Sequence, residues 1–240
     1  MEERKISKGS KRVIMNNYKI TVLVDNNSWI IPYAQNFVET INADYTDRYR
    51  ARFIRHAGEI ERGEILFLLG CTKILKPEML AFNLHNLVVH ESALPQGKGF
   101  APLFWQILEG QNTIPMTLFE ASEAVDDGDI YHQIDIELQG HELNEEIRDI
   151  QGRKTMDICL QFLEAYPDIQ GQKQQGVESF YKRRRPEDSE LDIHKTIDEQ
   201  FHNLRIANND FYPAFFVKDG YKYILSIKRD DSYEPDTDPK

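Results

Sequence analysis

The β-branched and apolar residues of 19–24 (KITVLV) predict a first strand, and the polar stretch DNNSW then breaks it. A strand followed at once by a polar turn suits the opening of an α/β domain, whose strand tips face the ligand crevice. Phe37, Val38 and Ile41 share one side of a helical period and predict a helix over 32–41. Residues 49–54 predict a second strand. The continuous apolar run 65–69 reads as a strand covered on both faces. Pro77 opens a short helix over 77–82, and residues 87–89 form a short strand that leads straight into His90. Residues 101–109 (APLFWQILE) predict a buried helix that Gly110 stops. Strands over 116–119 and 130–136 follow. A long helix over 145–165 takes its apolar face from Ile147, Ile150, Ile158, Leu160 and Leu163, with Gly152 weakening its middle.

Beyond residue 165 the alternation of strands and helices stops. The glycine-bounded polar stretch GQKQQG, 171–176, predicts a boundary loop. Thr196 and Glu199 form a capping-box signature ahead of Ile197, Phe201 and Leu204. Residues 214–217 and 221–227 predict a hairpin about a turn at 218–220. The whole pattern says α/β, with a smaller C-terminal unit.

Composition narrows the classes. The chain has 240 residues, enough for one doubly wound domain and a small appendage. Its formal charge of −11 argues against coating nucleic acid, which wants a positive surface. No apolar segment is long enough to span a membrane. The polar N-terminus lacks the apolar core of a secretory signal, so a cytoplasmic location is expected. Cys71 and Cys159 read as buried free thiols. The histidines are scattered without metal-ligand spacing, so no metal is expected.

Two runs carry candidate chemistry. In HESALPQGKGFAP, His90 stands at a strand end before a loop restrained by Pro95, Gly97, Gly99 and Pro102. In EAVDDGDIY, Asp126, Asp127 and Asp129 surround Gly128 between two strands. That run is either an Asx-rich turn or a divalent-cation loop, although EF-hand spacing is absent. No Walker A or GxGxxG loop is present.

Together the two runs resemble the formyltransferase domain of the methionyl-tRNA and sugar N-formyltransferase families. His90, Ser92, Leu94, Pro95, Gly99, Ala101 and Pro102 match the HPSLLP…RGxxP loop of those families. Trp105, Ile107, Leu108, Gly110, Thr117 and Leu118 continue the match, and Asp126, Asp127, Gly128 and Asp129 match the DxGD run. The stretches FYKRRRPEDSELD and YPAFF resemble the C-terminal part of the members that act on nucleotide sugars.

The resemblance implies a Rossmann-like formyltransferase domain over 18–170 and a small C-terminal α+β/hairpin extension over 177–229. A flexible leader over 1–17 and a frayed tail over 230–240 complete the expected organisation. The family's catalytic set is an asparagine, a histidine and an aspartate. His90 and Asp126 fall on the last two, and Val88 stands where the asparagine would be. Asn86 shares its strand face but lies about 13 Å from His90 along the strand. The implied donor is N10-formyltetrahydrofolate, with Glu120, Ala124 and Asp129 toward it. The implied acceptor is the 4-amino group of a nucleotide-linked 4-amino-4,6-dideoxy sugar, with UDP slightly preferred over dTDP. Asp25, Asn26 and Trp29 at the first strand tip, with Ser92 and Lys98, are its candidate contacts. The KRRR run at 182–185 either offsets diphosphate charge or is a solvated loop. A homodimer is expected by family analogy. Rival readings are a formyltransferase on another small amine, a formyl-folate hydrolase, and a binding protein without catalysis.

Overall fold

The computed structural model describes residues 17–230, 232 and 233. The expected leader and tail lie almost wholly outside them. One six-stranded sheet, in the order β2-β1-β3-β4-β6-β7, organises the chain. Strands β1 (Tyr18–Leu23), β2 (Tyr49–Ile54), β3 (Gly63–Leu68) and β4 (Asn83–His90) run parallel. β6 (Thr113–Glu120) and β7 (Ile130–Glu137) close one side as an antiparallel pair. The last four residues of β1 and of β3 are buried, as expected for strands covered on both faces, with Thr21 the one polar side chain among them. This is a mixed α/β, Rossmann-like sheet. The chain passes from β1 to β2 on one side and to β3 on the other, so the switch point lies at the carboxyl tips of β1 and β3.

The two faces are covered unequally. Helices α1 (Ile31–Asp44) and α4 (Asn144–Ala165) pack on one face, burying Phe37, Ile41, Ile147, Ile158 and Phe162 in the main core. The β2–β3 link on the other face is only residues 55–62, shorter than the dozen or so that a helical crossover needs. It holds a single 3-10 turn, Ala57–Glu59. With α2 (Pro77–Leu80) it covers a small cluster of Leu23, Ile54, Ile60, Leu66, Leu68 and Leu75. Cys71, Val88 and Ala121 pack against that cluster, so Val88 sits under a thin cover.

Gly152 does not interrupt α4. A Cβ there would meet the Tyr33 ring at 2.8 Å, so the glycine is what lets α1 and α4 approach. Tyr33 also donates to Asp149 Oδ1 (2.8 Å) across the same contact. β4 starts at Asn83, earlier than its apolar run suggests. His85 and Asn86 are secured there by the Glu120 carboxylate, which accepts from the Asn86 backbone N–H and from Tyr131 Oη and lies 3.2 Å from His85 Nδ1.

The C-terminal unit is stitched into the sheet domain. β5 (Lys98–Gly99) pairs with β8 (Phe180–Tyr181). The predicted boundary loop at 171–176 is also structural: Gln172 and Ile130 exchange backbone hydrogen bonds of 2.8 Å each. Thr196 and Glu199 cap one another reciprocally, and the 3-10 turn Asp198–Gln200 runs on into α5 (Phe201–Arg205). From α5, the wholly buried Arg205 reaches Glu142 Oε2 (3.5 Å) and Asn112 Oδ1 (3.2 Å). β9 (Ala214–Lys218) and β10 (Tyr221–Leu225) form the expected hairpin over Leu191, Leu204 and Ala207.

Candidate active site

β4 delivers a buried His90 at its carboxyl end. The loop that follows turns through Gly97, in the left-handed region (φ +70), and brings its carbonyl back to 2.8 Å from His90 Nε2. A carbonyl only accepts, so Nε2 carries the proton and the neutral ring keeps its lone pair on Nδ1. Asp126 Oδ2 lies 3.8 Å from the same Nε2. That is too long for a hydrogen bond, so Gly97 sets the orientation of the ring.

The DxGD run has a geometric reason. Asp126 adopts a left-handed backbone (φ +52), and its Oδ2 accepts from the Gly99 N–H (2.9 Å). A Cβ on Gly128 would sit 1.6 Å from the Glu120 carbonyl oxygen, so no side chain fits there. Gln174 donates from one amide nitrogen to the carbonyls of Asp126 and Gly128 (2.9 Å each). The sequence reading missed Gln174, because only the fold brings residues 171–176 against this turn.

The other predicted residues divide. Lys98, expected on the acceptor, is buried between Asp127 Oδ1 (2.8 Å) and Glu178 Oε1 (2.7 Å). Burial opposes its charge, but these two carboxylates outweigh it and raise its pKa. Asp25, expected on the acceptor, accepts from the Thr72 and Lys73 N–H groups and so shapes the loop after β3. Asn86 gives its Nδ2 to the Leu80 carbonyl (3.1 Å), so it does not supply the donor that Val88 lacks. Glu120 is committed to the β4–β6 contact described above. Asp129 Oδ1 pairs with Lys173 (2.7 Å), and Ala124 is exposed at the β6–β7 loop. Ser92 is buried beside Gly97, its Oγ without a partner. Among the described residues no group of His, Cys, Asp and Glu is placed to hold a metal, and no helix is long and apolar enough to cross a membrane.

Asn26 and Trp29 line a cleft of about 670 Å³ on the α1/α4 side of the strand tips. Its opposite wall combines α3 (Pro102–Leu108), α4 and the C-terminal unit through Phe104, Arg148, Arg184 and Tyr212. The Arg148 guanidinium stacks on Trp29 (4.7 Å to the ring centroid) and on Phe104 (4.4 Å). Burial brings its pKa down to about 10, against the pull of Glu91, so it stays charged at neutral pH. Arg184 lies over the same Phe104 ring at 5.8 Å, and Arg183 over Phe100 at 5.6 Å. Neither His90 nor Asp126 lines the cleft, but the loop between His90 and α3 ends in its wall at Phe100 and Ala101.

The fold is a Rossmann-like α/β sheet with a buried histidine beside a carboxylate at a strand end. The chain belongs to the formyl transferase family, whose profile residues 9–156 match. A methionyl-tRNA formyltransferase of Thermosipho melanesiensis is 33% identical over 139 residues, covering 56% of this chain and 44% of that protein. The chain spans less than half the length of such curated relatives. Among solved structures, methionyl-tRNA formyltransferase from Clostridium thermocellum superposes with a TM-score of 0.74 at 22% identity, covering 90% of this chain and 95% of that one. A sugar N-formyltransferase from a Shewanella species gives 0.68 at 17%, covering 89% and 98%. HypX from Aquifex aeolicus in complex with tetrahydrofolic acid gives 0.68 at 16%, covering 88% and 38%. At these identities the structural likeness is one of fold.

Proposed function

We propose that this chain transfers a formyl group from N10-formyltetrahydrofolate to the 4-amino group of a nucleotide-linked 4-amino-4,6-dideoxy sugar. The observation that carries the reading is His90, with Nε2 anchored on Gly97 and Nδ1 left as the free base. Family membership supports the donor, and a HypX structure of the same fold holds tetrahydrofolate. A sugar N-formyltransferase of nearly the same length shares the fold, which supports the acceptor class.

In this reading the donor lies over the thin face, between the loop after β3 and the β6–β7 loop. The acceptor enters from the cleft on the opposite face, and His90 ends the strand between them. The acceptor nitrogen attacks the formyl carbon, and His90 Nδ1 takes the amine proton. The resulting imidazolium stabilises the tetrahedral oxyanion. Val88 contributes no hydrogen-bond donor there, so more of this stabilisation falls on His90. As the bond from carbon to N10 breaks, the proton passes to the departing nitrogen, leaving tetrahydrofolate and the N-formyl sugar. A second copy of the chain packs on the β9–β10 hairpin, where Val217, Tyr221 and Ile224 are exposed.

Mass spectrometry of reactions with the donor and a panel of UDP- and dTDP-linked 4-amino sugars tests this. Gain of one CO by a panel member is the expected result. An unformylated panel, with folded protein and intact donor, contradicts it. Release of formate without an amine product would identify a hydrolase instead.

A further inference from the structure

Arg148 is a cleft cation with no carboxylate in direct contact among the described residues: Glu91 acts on it only across a distance and through Gln151. Arg148 projects from α4 into the cleft between the Trp29 and Phe104 rings. One of its N–H groups goes to Gln151 Oε1 (2.7 Å), a neutral acceptor. Among the described residues it forms no ion pair. Arg184, over the same Phe104 ring, donates to Ser189 Oγ (3.2 Å) and has a buried Nε without a partner. Glu91 near Arg148 and Asp188 near Arg184 offset only part of their burial. A desolvated guanidinium with no carboxylate in contact costs free energy in the empty protein, and the two also repel each other. Planar forks of this kind match phosphate oxygens. The chain as a whole carries −11, so cations left open here are not a general surplus of positive charge.

The same arginine is tied to the strand that ends in His90. Gln151 accepts from Arg148 and donates from Nε2 to Glu91 Oε1, and Glu91 directly follows His90. Gln106 of α3 holds the Glu91 carbonyl from the other side (2.7 Å).

We propose that Arg148 and Arg184 anchor the diphosphate of the acceptor, and that the Gln151–Glu91 bridge couples that anchor to the position of His90. This rests on the nucleotide-sugar reading above and names the residues that read the nucleotide. Phe211, 78% exposed on the cleft wall, and Tyr212 supply planes for the base. Gln151 is a positioning residue: it touches neither nucleotide nor formyl group.

Calorimetric titration with UDP, dTDP and inorganic pyrophosphate separates the parts, with thermal melts to confirm folding. At least one nucleotide binds the native protein, and Arg148→Met and Arg184→Met each weaken it roughly tenfold to a hundredfold. Arg148→Lys keeps the charge but loses the fork, and falls between. Gln151→Leu leaves nucleotide affinity within about threefold while kcat falls by about tenfold with KM little changed. Native affinity in folded Arg148→Met, or no binding of either nucleotide to the native protein, overturns the anchor. Unchanged kcat in Gln151→Leu overturns the coupling. Nucleotide binding that Arg148→Met abolishes, without formylation of any amine, keeps the anchor and discards the reaction. Formyl transfer undiminished in Arg148→Met keeps the reaction and discards the anchor.

Discussion

Lys98 and Arg148 are two desolvated cations in one acidic chain, and they are handled in opposite ways. The Lys98 side chain is 3% exposed and held by two carboxylates, Asp127 and Glu178. Arg148 lies between two aromatic rings and an amide. The loop around His90 follows the first pattern. Gly97 holds His90, Gly99 holds Asp126, and Gln174 holds the turn, so its charged and ring groups are held from within, with the Ser92 hydroxyl left unpartnered. The cleft follows the second pattern and leaves charge open toward a ligand. Closure makes a rigid frame for a reacting group, whereas openness marks where binding energy is to be gained from outside.

The largest effect that sharpens this contrast comes from His90→Ala. Turnover is expected to fall by about 10²–10⁴-fold while nucleotide affinity stays native, since His90 does not line the cleft. Single-turnover kinetics and calorimetry on the same preparation check both halves. Glu142→Ala comes next. It strands Arg205, another closed cation, in the interior and is expected to cost about 3–5 kcal/mol, read from urea unfolding. Lys98→Met is expected to cost no more than about 1 kcal/mol, because Asp127 and Glu178 are half-exposed and regain water. Nucleotide affinity is expected to hold in that variant; its loss would break the contrast with Arg148.

The smallest effect concerns acid. Burial alone would raise the Asp25 pKa, but the N–H groups of Thr72 and Lys73 and the Asn26 amide hold it below the usual carboxylate range. A depressed folded-state pKa gives stability that is present above the unfolded value and is lost as pH falls through the folded one. The native protein is therefore expected to lose more stability than Asp25→Asn below about pH 4. Parallel acid arms for the two proteins in denaturation against pH would remove Asp25 from the account.

Local pattern revealed much of this molecule. The strand at 49–54 is matched residue for residue by β2, and His90 stands at the strand end that the apolar run before it requires. The Thr196–Glu199 box is present because it needs only its own turn. What sequence hid depends on long-range meetings. Lys98 reads as a free cation until Glu178, 80 residues on, arrives beside it. β4 looks short because His85 and Asn86 are polar, and only Glu120 on β6 secures them. Arg148 is one charge among many on a long helix until α3 and the tip of β1 place Phe104 and Trp29 on either side. The polar stretch 171–176 reads as a linker because nothing local shows that Gln174 will meet two carbonyls of the DxGD turn.

The most direct test supplies donor labelled with ¹³C at the formyl carbon and follows that carbon by NMR and mass spectrometry, with native protein and His90→Ala side by side. The account predicts that the native protein moves the label onto the amine of a UDP- or dTDP-linked 4-amino sugar and that His90→Ala leaves it on the folate. Label appearing only in formate, label remaining on the folate with native protein, or equal transfer by His90→Ala would contradict it.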